Sequence, residues 1–200
     1  MQTEVAHWCS LLFYTIFIKK HSMFSFLRKR KIKTKITDRV FISSKAKQHA
    51  IQEQLCNYPD TVIITWFEES YEQIESLLQF NNFKAGIYLS REIAAHNILN
   101  KKVLFLEHHP LVEKEKEMLE KLQLKEAIFY SALDEPLFKH FGTDRIISIV
   151  ERLGLSENEG IEHTMITNAI KNAQEKISKQ VVIDHTAQSQ ADWFSKNIVS

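Results

Sequence analysis

Five short apolar runs punctuate the chain: Val40 to Ser43, Thr61 to Phe67, Phe83 to Leu89, Lys102 to Glu107 and Ala127 to Ser131. Their length and their β-branched and aromatic content predict strands. The segments between them repeat apolar residues at helical spacing, as with Tyr71, Ile74, Leu77 and Leu78. Helices are therefore predicted over Ser44 to Cys56, Glu68 to Phe80, Ser90 to Leu99 and Pro110 to Leu124. Ser90 is read as an N-cap and Pro110 as a helix entry. Strict alternation of strand and helix, with strands apolar throughout, predicts an α/β fold. The expected sheet is five-stranded, mostly parallel and RecA-like or Rossmann-like.

After the fifth run the period changes. A short helix from Glu135 to Phe141 is predicted, closed by Gly142. Next comes one with Ile146, Ile149, Val150 and Leu153 on a face, closed by Gly154. A longer helix, Ile161 to Ser178, places Ile166, Ala169, Ile170, Ala173 and Ile177 on one stripe. This is a C-terminal helical appendix. The resulting division is a leader (1–37), an α/β domain (38–142), a helical segment (143–178) and a tail (179–200), with 38–178 expected to fold as a unit.

Charge separates the leader from the body. Eight Lys or Arg residues, the run to Lys35 included, and no acid lie between Val5 and Thr37, whereas 18 basic and 24 acidic residues follow from Asp38 onward. Trp8 to Ile18 (WCSLLFYTIFI) is apolar but reaches only about half of a bilayer core as a helix. Three readings of residues 8–35 compete: peripheral membrane contact with RKRKIKTK on anionic headgroups, a nucleic-acid arm, or a solvated tail preceding a start at Met23. The acidic body disfavours nucleic acid. Cys9 and Cys56 lack metal-site spacing, and a reducing, cytoplasmic location is expected.

No glycine-rich phosphate cradle is present; the four glycines are 86, 142, 154 and 160. An anion could still sit on helix-terminal amides at Ser44 or Ser90. In parallel sheets ligands lie beyond the carboxyl ends of the strands, which brings Glu107, His108 and His109 forward as a candidate ligand or acid–base cluster. Neighbouring strand residues point oppositely, so at most one of the two histidines can face a site. No metal site is assigned, and the bland reading is loop histidines bonded to backbone.

From Tyr130 onward the residues become specific. Ser131-Ala132-Leu133-Asp134-Glu135, Phe141-Gly142-Thr143-Asp144-Arg145-Ile146, Arg152-Leu153-Gly154-Leu155, Ile161-Glu162-His163 and Ala169 to Gln174 follow one another almost without gaps. This stretch, Tyr130 to Ile177, resembles SecA, the preprotein translocase motor ATPase. It is similar to the point where SecA's second RecA-like domain passes into its helical scaffold. Upstream, Thr61 to Leu78 and Phe105 to His109 resemble it more faintly. SecA follows the latter strand with an arginine- and glycine-rich segment that senses nucleotide. Here Glu113 to Ala127 (EKEKEMLEKLQLKEA) has neither residue. No counterpart of the first motor domain, with its P-loop lysine, is recognised, and phosphoryl transfer depends on those groups.

The resemblance implies a degenerate, non-hydrolysing, SecA-like interaction module without catalytic residues. An accessory or regulatory role linked to preprotein translocation, with a protein partner, is expected. No cofactor is expected, although nucleotide binding without hydrolysis stays open. A small-ligand protein or enzyme using Glu107-His108-His109 is the alternative. Leu133, Phe138, Phe141, Ile146 and Leu153 are expected core. Asp134, Arg145, Glu162, His163 and Lys171 are candidate junction or partner residues.

Overall fold

The computed structural model describes residues 33–141 and 159–198. Five parallel strands form one sheet: β1 (Lys35–Phe41), β2 (Val62–Thr65), β3 (Gly86–Leu89), β4 (Val103–Phe105) and β5 (Glu126–Ala132), in spatial order β1-β5-β4-β2-β3. Helices α1 (Ser44–Asn57), α2 (Glu68–Phe80) and α3 (Val112–Leu122) follow β1, β2 and β4. Then come α4 (Pro136–Phe141), α5 (Thr164–Ser178) and α6 (Gln190–Asn197).

Side-chain alternation along each strand divides the core. Phe41, Ile63, Leu104 and Tyr130 face α1 and α2, where they meet Ile51, Leu55, Ile74 and Leu78. Val62, Ile64, Phe105 and Phe129 face the other way, against Met118, Leu119 and Leu122 of α3. Val40 joins Leu137, Phe138, Ile166, Ile170, Ile177 and Trp193 on that second side. Because both faces are covered, the strands read as continuous apolar runs rather than alternating ones. Burying a Leu-, Ile- or Phe-sized side chain stabilises by about 1.5–3 kcal/mol each, so these layers dominate the fold's stability.

Two local expectations are corrected. Ser90 does not cap a helix: its amide donates to Thr65 O (2.8 Å), and only a 3-10 turn at Ala95–Ile98 follows. Ile93 and Ile98 are both buried although five residues apart, a spacing that puts them on different faces of an α-helix. The long exit helix begins at Thr164 rather than Ile161. Ile161 instead makes an antiparallel bridge to Val40, with hydrogen bonds of 3.1 and 2.9 Å. On α5, Ala169 is exposed and Gln174 takes a place in the buried stripe.

Helix α6 is the largest addition to the expected picture. Ser189 caps it, accepting from Asp192 N at 3.1 Å, and Trp193 is buried within the α4–α5 core. The expected helix carrying Ile146 to Leu153 lies outside the described residues, as does Arg145. Among the described residues no helix is long and apolar enough to cross a membrane, and residues 8–32 of the leader are not among them.

Candidate functional site

The carboxyl end of β4 runs into Glu107-His108-His109, and all three side chains are buried. Each goes its own way. Glu107 turns toward α2, where its carboxylate accepts from Trp66 N (3.2 Å) and Ser70 Oγ (2.7 Å). Burial pushes its carboxyl up to about 7, against the opposing pull of Lys47.

His108 lies flat on Phe129, ring centroids 4.6 Å apart, between two carboxylates. Its Nδ1 is 2.9 Å from Glu115 Oε1 of α3. Its Nε2 is 3.3 Å from Asp38 Oδ1 of β1, close enough for an ion pair but not aligned as a hydrogen bond. Burial opposes the charged ring, yet the two carboxylates outweigh it and raise His108 to about 10. The same interaction outweighs the desolvation of Asp38 and holds its carboxyl below the usual range. Glu115 also accepts from His109 N (2.8 Å) and Gln174 Nε2 (2.9 Å). This is an imidazolium clamped from both sides. Its carboxylates stand at opposite ring nitrogens rather than converging on a point, and no group of three or more potential metal ligands gathers among the described residues.

His109 points away into an aromatic nest. Trp66 and Trp193 meet it edge-on at 5.1 and 5.9 Å, and Phe67 stacks at 5.9 Å. Its Nδ1 accepts from Leu111 N (3.0 Å). Desolvation, reinforced by Lys114 and opposed by Asp184, lowers it to about 4, so the ring is neutral. Two glutamines from the C-terminal helices secure the loop backbone: Gln174 donates to His109 O (2.7 Å) and Gln190 to His108 O (3.0 Å).

The other strand ends hold the remaining candidates. At the start of α1 the Ser44 amide donates to both oxygens of Asp134 at 3.0 Å, and Ser44 Oγ donates to Oδ1 at 2.8 Å. The helix terminus that could have received an anion thus holds the chain's own carboxylate. Lys47 pairs with buried Glu135 and donates to Leu106 O (2.9 Å). Glu162 pairs with Arg39 beside the Ile161–Val40 bridge. His163 caps α5, accepting from Met165 N at 3.1 Å. Lys171 is exposed, 3.9 Å from Glu175. Cys56, near the end of α1, is a free and exposed thiol.

These contacts join Asp134 to α1 and Glu162 to β1, whereas His163 and Lys171 stay on α5. Sequence reasoning missed Asp38, Lys47, Glu115, Gln174 and Gln190. Glu115 had a signal: it stands three residues from both Val112 and Met118, on the buried stripe of α3.

Comparison with known proteins puts a family beside this geometry. A stretch of 55 residues is 46% identical to protein translocase subunit SecA 1 of Chlorobium chlorochromatii. Over the same length it is 47% identical to SecA of Chlorobium phaeobacteroides and 46% to that of Acetivibrio thermocellus. Part of this chain is SecA-like. The match covers 28% of the chain but only 5–6% of each relative's length. No family model matches. At this strand end α3 presents Glu115 to His108. The place is used for a buried ion pair inside the chain.

Proposed function

We propose that this chain is a non-hydrolysing, SecA-like protein-interaction module that acts as an accessory or regulator of preprotein translocation. The observation that carries the reading is the occupation of the strand ends by the chain's own carboxylates. Asp134 holds the Ser44 amide and Glu135 holds Lys47, so both cationic features of that edge are already neutralised. A bound triphosphate needs several such groups free at once. The outer face of α5, with Asn168, Lys171, Asn172 and Glu175 exposed, is the partner surface. Residues 8–35 supply peripheral contact with an anionic membrane on the cytoplasmic side.

The test is affinity capture with the full chain and with residues 33–200, which keep β1 whole, in parallel with an ATPase assay. Translocase components should co-purify with both forms, the membrane fraction with the full chain only, and Mg²⁺–ATP turnover should stay at background. Turnover that follows the monomer peak on gel filtration would refute the non-hydrolysing part. Capture unaffected by Lys171→Glu and Asn168→Arg together would remove α5 as the surface.

A further inference from the structure

A cavity of about 340 Å³ opens where the ends of β2, β3 and β4 meet α3 and the segment 184–187. Its volume is at the lower end of the range for small-molecule sites. The inner wall is aromatic: Trp66, Phe67, His109 and Trp193. Both indole N–H groups are already used, Trp66 Nε1 by Glu107 O (3.1 Å) and Trp193 Nε1 by Asp184 Oδ1 (2.9 Å). The tryptophans therefore offer only ring surface.

His109 is different. Its Nδ1 accepts the Leu111 amide, so in the neutral ring the proton sits on Nε2. That N–H has no hydrogen-bond partner among the described residues, although the side chain is more than nine-tenths buried and lines the cavity. The donor opens on the cavity, where a ligand acceptor can reach it. At the rim, Lys114 is taken by Asp184 (3.2 Å) and Arg91 by Glu68. Lys121 is exposed and makes no ion pair with a described residue, while Glu117, one turn earlier on α3, is the opposing charge.

We propose that this cavity binds a small planar aromatic carboxylate, its ring between Trp66 and Trp193 and its oxygens on His109 Nε2–H and Lys121 Nζ. The ring is called for by the aromatic wall, whose pairings favour offset or edge-on contact. The carboxylate is called for by two donors that line one cavity and have no acceptor among the described residues. The site is independent of the α5 surface, so either can fail alone.

The probe is indole-3-carboxylate, added to the full chain, with the histidine ring nitrogens followed by long-range ¹H–¹⁵N NMR. Before addition His109 should show its proton on Nε2. On titration that nitrogen should shift and saturate. Lys121→Glu, an exposed change, should keep the melting temperature and weaken binding about tenfold. Indole-3-carboxamide and cyclohexanecarboxylate should each bind much more weakly. A proton on Nδ1, no shift up to the solubility of the probe, or unchanged affinity in Lys121→Glu would overturn the site. Equal binding of the carboxamide would overturn the carboxylate assignment, and equal binding of cyclohexanecarboxylate the aromatic one.

Discussion

His108 and Glu115 meet at 2.9 Å with both side chains almost wholly buried, and Asp38 closes the other side of the same imidazole at 3.3 Å. The arrangement welds β1, the β4 loop and α3 through one cation. Removing one partner of a buried ion pair costs about 3–5 kcal/mol, because the remaining charge is left uncompensated. His108→Phe should therefore lose about that much in urea unfolding, more than most single changes. Exchange of all three residues for a packed apolar set should recover much of it.

The adjacent histidines should give the stability–pH curve two limbs. His108 is raised from 6.5 to about 10. Its contribution is full below pH 6.5 and is lost as pH rises toward 10. His109 is lowered from 6.5 to about 4. The unfolded chain then takes up its proton first, and stability falls as pH drops from 6.5 toward 4. In a Glu107→Gln background, which removes a carboxyl titrating over the same range, unfolding free energies across pH 4–10 should peak near pH 6.5. Glu115→Gln should flatten the alkaline limb only.

Glu107 should act against stability at neutral pH. Its carboxyl is raised from 4.5 to about 7. The folded state keeps a proton that the unfolded chain has released, so stability declines as pH rises from 4.5 through 7. Glu107→Gln keeps the shape and an acceptor for Trp66 N. It should melt close to the parent at pH 5 and above it at pH 8.

The Asp134 cap is exposed and its effect smaller. Asp134→Ala should cost about 1 kcal/mol, the usual value of a lost helix cap. Asp134→Asn should recover part of that, since an amide oxygen still accepts from Ser44.

Helix α6 offers the sharpest contrast. Trp193 is 1% exposed, and truncating a buried aromatic costs about 3–5 kcal/mol. Trp193→Ala, or ending the chain at residue 178, should unfold the domain or bring its melting temperature down steeply. Lys171→Ala should change stability by less than about 0.5 kcal/mol. A chain ending at 178 that melts like the parent would show that α6 is ornamental.

The sheet was legible because its signal is repeated: five apolar runs, each followed by a segment of helical period or by turn formers. Glu68 to Phe80 was predicted with the residues it has. What failed was local. Ser90 looked like a cap, but the buried pair Ile93 and Ile98 fits no α-helical face. Asp38 was placed at a domain boundary as the first acid after a basic stretch, yet it belongs to β1 and faces inward. A polar residue buried by a partner far along the chain leaves no periodic trace. Asp38 needs His108, and Gln190 needs the backbone of the same loop. Trp193 escaped for a related reason, since a helix of eight residues is too short to establish a period.

The bridge between Val40 and Ile161 carries a consequence for biosynthesis. Val40 emerges from the ribosome early, while Ile161, Gln174, Gln190 and Trp193, which cover its side of the sheet and fasten the β4 loop, come long afterwards. Contacts this distant in sequence slow folding. During that interval a nascent chain displays Val40, Leu133, Leu137 and Phe138 to solvent. Until α6 has been made, such a chain exposes apolar surface of the kind that holding chaperones cover.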